Sequence, residues 1–195
     1  FDSLCLNGKG ENAIKIMSKG KWNTVYYHAS KWYLCYINNE TKEKIIDDTP
    51  FAYGFAITSG EHDKSTSYPR ITSIIFDEFL TRTAYAPDEF VLFMNVLSTI
   101  IRDRQNVKIF MLGNTVSQYS PYFKEMGLKH IEDMQQGDID VYTYGDSQLR
   151  VAVEYASPTK KGKASDVYFA FDNPKLQMIT TGVWEIDIYP HCPFK

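Results

Sequence analysis

The strongest constraint on the fold is a strand, helix, strand pattern between residues 71 and 112. Ile71 to Phe76 is a near-continuous apolar run. It is too short for a helix and reads as a strand with both faces covered. Pro87, Asp88 and Glu89 then supply a helix start, because proline in the first turn forfeits no hydrogen bond and acids complement the dipole. Phe90, Val91, Phe93, Met94, Leu97, Ile100 and Ile101 recur at helical spacing up to Arg102. Val107 to Leu112 is a second apolar strand, ending at Gly113-Asn114. Short links between these elements predict a right-handed crossover between two parallel strands. Both strands then end on one rim, where Asp77, Glu78 and Asn114 converge.

An apolar strand that stops at two adjacent carboxylates points to chemistry. Charges at the tip of a buried strand cost desolvation energy, and they persist where they hold a cation or position water. In phosphoryl transfer the protein mainly positions groups and neutralises charge, so Asp77 suits the binding of hydrated magnesium and Glu78 the orientation or activation of water. Two acids at a strand end also occur as plain surface charge; the second strand gives the pair its weight. Asn114 can donate and accept, which fits a group that senses a terminal phosphate or holds the water, whereas the alternative makes Gly113-Asn114 simply a turn. Arg102 and Arg104 fall at the helix C-terminus, where the dipole favours cations in any case. The functional alternative makes one of them an arginine finger reaching a neighbouring subunit's nucleotide.

The rest of the chain reads as added β structure. Thr24 to Tyr27, Lys31 to Ile37 and Lys44 to Ile46, with a turn at Asn38-Asn39, predict a meander. Phe51 to Thr58 is a further apolar run, and Asn12 to Met17 fits a short helix or a strand equally. Ser59 to Ser67 is a polar loop closed by Pro69. Beyond the polar turn Ser120-Pro121, the segments Val141 to Tyr144, Leu149 to Tyr155, Val167 to Phe171 and Trp184 to Ile188 are expected strands.

With 195 residues, 44% of them hydrophobic, the chain can bury one core. A formal charge of −3 supplies no global field for nucleic acid, so any such contact is local. Cys5, Cys35 and Cys192 are dispersed, without a CxxC pair, and the four histidines show no ligand spacing. A reducing compartment is the expectation. No apolar stretch reaches the roughly 20 residues of a bilayer span, so no membrane partner is expected. Phe1 and Lys195 both read as internal positions of a longer protein.

A nucleotide site of this type also needs a glycine-rich loop ending in Gly-Lys-Ser/Thr. Gly8-Lys9-Gly10, Gly20-Lys21-Trp22 and Gly162-Lys163-Ala164 fail its spacing and lack the hydroxyl after lysine. These 195 residues are therefore not expected to hydrolyse ATP efficiently by themselves.

Several motifs occur in an order that resembles the genome-encapsidation ATPases of small podophages: Ser65-Thr66-Ser67-Tyr68-Pro69, Ile74-Ile75-Phe76-Asp77-Glu78-Phe79, Arg102-Asp103-Arg104, Gly113-Asn114, Asn173-Pro174 and Met178-Ile179-Thr180-Thr181-Gly182. The resemblance spans Phe51 to Ile188. It implies an α/β, P-loop NTPase (ASCE)-like fold akin to the FtsK/HerA translocases, with a mainly parallel sheet, flanking helices and added β-hairpins. Residues 1–195 would be a partial ATPase domain, preceded by a phosphate-loop segment and followed by a nuclease-like domain. It also implies ATP and Mg2+ as cofactors, a homo-oligomeric ring at the portal of the procapsid in the host cytoplasm, and double-stranded DNA as cargo. Asp77 and Glu78 would take the Walker B role, Asn114 a sensor role, and Arg102 or Arg104 a finger role. The phosphate-loop strand is expected between the two strands named above, leaving a central gap in this chain.

A translocase must hold every sequence equally, through phosphates. Lys64 and Arg70 in one loop, and Lys160, Lys161 and Lys163 in another, are the candidate grips, each equally readable as a solvated loop. Two other function classes remain open. Asp138, Asp140 and Asp187 with Asp77 would make a two-metal nuclease, and a chain without hydrolysis would be a DNA-binding or ring-assembly module.

Overall fold

The computed structural model describes residues 9–59 and 67–157. The chain forms two compact units, Phe1–Asp63 and Lys64–Lys195. The expected strands at Val167 to Phe171 and Trp184 to Ile188 lie outside the described residues.

The first unit opens with helix α1 (Lys9–Met17), which resolves the ambiguity of Asn12 to Met17 in favour of helix. The expected meander follows as β1 (Thr24–His28), β2 (Lys31–Ile37) and β3 (Lys44–Tyr53), antiparallel in the order β1-β2-β3. Ala29 and Ser30, both at positive φ, form the tight turn that sets Tyr26 opposite Tyr33. Asn38 shapes the second turn, its Oδ1 accepting from the amides of Glu40 and Thr41. Strand β3 runs to Tyr53, absorbing the start of the next apolar run across two register shifts.

The second unit contains the predicted strand, helix, strand. Strand β4 (Ser73–Asp77) pairs in parallel with β5 (Lys108–Leu112), and helix α2 (Glu89–Ile101) connects them. Helix α2 starts two residues after Pro87. Asp88 adopts a left-handed conformation, φ 53°, and Glu89 caps the turn by accepting the Ala86 amide on Oε2 at 2.8 Å. Phe93, Leu97 and the wholly buried Tyr122 form the core against which Ile74, Phe76 and Met111 pack.

Two expectations are overturned here. Strands β4 and β5 were expected to be covered on both faces, yet burial alternates along β4. Ile75, Phe110 and Leu112 point to the open side, with Ile75 67% exposed. Among the described residues the helix and Tyr122 cover one face only, so period-two burial replaces the uniform kind. The expected central gap is also absent, because β4 and β5 are direct hydrogen-bonding partners with Asp77 opposite Leu112.

Ser120-Pro121 opens a short helix, α3 (Pro121–Glu125), where a turn was expected; Ser120 Oγ accepts the Tyr122 amide at 3.2 Å. Strands β6 (Ile139–Thr143) and β7 (Arg150–Glu154) then form an antiparallel hairpin. Its inner face joins Leu80, Phe123, Leu128 and Ile131 in a second core. Among the described residues parallel pairing is confined to β4 and β5, and the other sheets are antiparallel, so the expected mainly parallel sheet is not what these residues form.

Candidate functional site at the carboxylate rim

Parallel pairing in register sends β4 and β5 out of the sheet on the same side. Asp77 is the last residue of β4, and Asn114 lies two residues past its partner Leu112. Glu78 follows Asp77 directly, so both carboxylates and the amide side chain stand on one rim, as the sequence pattern required. All three are exposed. That corrects the desolvation argument: these acids end a strand whose outer face is open, and they keep their hydration.

The rim has a defined backbone. Asp77 Oδ1 accepts from the Glu78 amide at 3.1 Å, which fixes the carboxylate against its own turn. Glu78 is held at φ 57°, a left-handed conformation that a non-glycine residue adopts at a cost. Phe79 then donates its amide to the Leu112 carbonyl at 3.2 Å, carrying the ladder beyond the strand. The Asn114 carbonyl accepts from the Val116 amide at 2.8 Å, so the residue does sit in a turn. Its exposed side chain stands at the same rim.

Magnesium is typically held by one or two carboxylates together with substrate phosphates and water. Among the described residues no group of three or more His, Cys, Asp or Glu side chains could hold a metal ion. The rim supplies two neighbouring exposed carboxylates, Asp77 and Glu78, the donor type that magnesium takes. The two-metal arrangement of Asp77, Asp138 and Asp140 does not assemble. Asp138 Oδ2 instead accepts the Gln135 amide at 2.7 Å, closing the loop before β6, and Asp187 lies outside the described residues.

The arginines occupy the other end of the strands. Helix α2 runs back against them, so Arg102 and Arg104 lie near the starts of β4 and β5. Arg104 is committed to backbone carbonyls: Nη2 donates to Ile100 at 2.7 Å, Nε to Ile101 at 3.2 Å, and Nη1 to Pro69 at 3.2 Å and to Ile71. Arg102 caps the helix at φ 51°, its amide donating to the Ser98 carbonyl at 3.0 Å, and its side chain is exposed. Arg70 is exposed in the turn before β4, while Lys64, Lys160, Lys161 and Lys163 lie outside the described residues.

Sequence reasoning missed the residues that hold the rim in place. Phe79 packs edge-on against Tyr122 and Phe123, at 5.7 and 5.8 Å between ring centroids. Tyr122 donates its hydroxyl to Glu89 Oε1 at 2.8 Å. The adjacent aromatics Tyr122-Phe123 were the available signal, since a pair after a Ser-Pro helix start places both rings on a short helix that must bury them.

Residues 36–178 match the model of the Podovirus DNA encapsidation protein (Gp16) family. A DNA packaging protein of Bacillus phage B103 is 35% identical over 98 residues, covering 47% of this chain and 30% of the relative. The DNA packaging protein of Bacillus phage phi29 is 32% identical over 81 residues, covering 40% of this chain and 24% of the relative. The chain thus spans less than a third of the length of these curated relatives. Among solved structures, the Phi-28 gp11 DNA packaging motor matches with a TM-score of 0.57 at 21% identity, over 89% of this chain and 50% of that one. The N-terminal domain of the DNA packaging ATPase from bacteriophage phi29 matches with a TM-score of 0.50 at 21% identity, over 75% of this chain and 67% of that one. At that identity the structural matches speak for the fold, and the family model speaks for descent. The chain belongs to the Podovirus DNA encapsidation protein (Gp16) family.

Proposed function

We propose that this chain is part of an ATP-driven motor subunit that moves double-stranded viral DNA into a preformed capsid. The observation that carries this reading is the shared rim of Asp77, Glu78 and Asn114 on a directly paired parallel β4 and β5. Asp77 would hold Mg2+, which would supply charge neutralisation at the phosphates. Glu78 would orient the attacking water and accept its proton, while Asn114 would contact the terminal phosphate. Family membership supports the packaging role.

A phosphate-gripping loop would require a further strand in an ASCE-like core. The outer edge of the β4 and β5 pair is where such a strand can join, because these strands already contact each other directly. In a homo-oligomeric ring at the portal vertex of the procapsid, in the host cytoplasm, Arg102 or Arg104 would reach a neighbour's nucleotide, and Arg104 would have to give up backbone carbonyls to do so. Arg70 and the lysines at 64, 160, 161 and 163 would supply nonspecific phosphate contacts with DNA.

Nucleotide turnover by the full-length protein tests this reading. We expect DNA-stimulated, magnesium-dependent ATP hydrolysis that Glu78→Gln reduces by at least about a hundredfold, as removal of a water-orienting or base group does. Turnover untouched by Glu78→Gln refutes it.

A further inference from the structure

Gly113 sits between Leu112, the strand partner of Asp77, and Asn114. It has no positive φ that would call for glycine, so the reason for its missing side chain is space. A Cβ at this position would lie 3.0 Å from Leu80 Cγ, 3.0 Å from Phe79 Cε1 and 3.1 Å from Phe79 Cδ1. Neither neighbour is a loose chain end. Leu80 is buried in the second core, and Phe79 is wedged edge-on against Tyr122 and Phe123. The exit of β5 therefore lies against the two residues that follow Glu78.

We infer that Gly113 and Phe79 are positioning residues that couple Asn114 to Glu78, so that occupancy of the terminal-phosphate position is felt at the water-orienting carboxylate. The inference rests on the hydrolysis reading and names how that site is regulated. The coupling is mechanical. A phosphate that draws Asn114 inward carries Gly113 with it, and Gly113 meets the Phe79 ring. Asp77 pairs with Leu112 and Phe79 donates its amide to the same residue, so Glu78 spans two points tied to the β5 exit and takes up any shift of that exit between them. Glu78 is already in the left-handed basin, which a side-chain-bearing residue leaves downhill. Two discrete backbone states at Glu78 would then distinguish the empty rim from the loaded one.

The test uses the full-length protein, with Glu78→Gln as a parallel control. Gly113→Ala adds a methyl group at the contact, and we expect kcat for ATP to fall about tenfold or more while KM changes by less than about twofold. Phe79→Leu in the same chain makes room for that methyl and recovers part of kcat. Should Gly113→Ala fail to fold, Phe79→Leu alone loosens the contact, and a severalfold lower kcat at constant KM is expected. Wild-type kcat in Gly113→Ala or in Phe79→Leu, with Glu78→Gln inactive, overturns the coupling and leaves the hydrolysis reading standing. So does a loss in Gly113→Ala that Phe79→Leu does not relieve. Full turnover in Glu78→Gln overturns both.

Discussion

The Tyr122 hydroxyl donates to Glu89 Oε1 at 2.8 Å from a side chain with no solvent exposure. The second oxygen of the same carboxylate accepts the Ala86 amide at 2.8 Å, so Glu89 joins α3 to the start of α2. Tyr122→Phe keeps the ring and removes one donor. We expect a loss of about 1–3 kcal/mol in urea unfolding, the range for a hydrogen bond to a carboxylate or for leaving a buried partner unsatisfied. Unchanged stability would mean that the ring alone holds the two helices together.

The same phenol sets an alkaline limit. Burial, then the hydrogen bond to Glu89 and the negative charges of Glu89 and Tyr85, push its pKa well above the ordinary tyrosine range. In the unfolded chain Tyr122 ionises near about pH 10, whereas the folded chain keeps it protonated. Above that pH the unfolded state binds fewer protons, so stability falls as pH rises, and below it this group adds no slope. Melting temperatures should therefore drop more steeply past about pH 10 in wild type than in Tyr122→Phe. Parallel curves would show that Tyr122 is not the group responsible.

On the hydrolysis reading, Glu78 would set function against stability. Its φ of 57° suits glycine, so Glu78→Gly should gain about 0.5–1 kcal/mol, the left-handed penalty less the added chain entropy. Hydrolysis should be lost in the same variant. If Glu78→Gly is instead less stable than wild type, the left-handed backbone is not a strained state.

Arg104 and Arg102 should separate cleanly. Arg104→Ala abandons carbonyls of Pro69, Ile71, Ile100 and Ile101, and a loss of about 1–3 kcal/mol is expected, with Lys recovering little because it lacks the guanidinium fork. Arg102→Ala should depress DNA-stimulated turnover if the side chain acts in trans. Mixing Arg102→Ala with Glu78→Gln subunits would reveal the trans contact.

Local pattern made the βαβ unit legible. The apolar positions of α2 and the strands around Ile74 and Ile109 repeat at periods that sequence displays directly, and parallel pairing then places Asp77 and Asn114 on one rim. Burial was harder to read. Ile75 and Phe110 look like core residues, but whether a second layer covers them is a long-range property invisible in the residues themselves. The order of β4 and β5 was misjudged for a similar reason, since adjacency in a sheet is decided by pairing partners and not by the content of either strand. Asp88 shifted the helix start because a left-handed residue after Pro87 leaves no trace in composition. Glu78 and Gly113 show the limit most clearly: a φ of 57° and a 3.0 Å approach to a ring are tertiary facts.

Because Arg104 clasps the helix exit and the approach to β4 together, the base of the βαβ unit behaves like the clamped end of a springboard. At the other end, where the acids stand, the two strand exits are joined by the Phe79 amide on the Leu112 carbonyl and by the close approach of Gly113 to the Phe79 ring. On the proposed hydrolysis reading, that clamped base would give chemistry at the acids a fixed frame to push against.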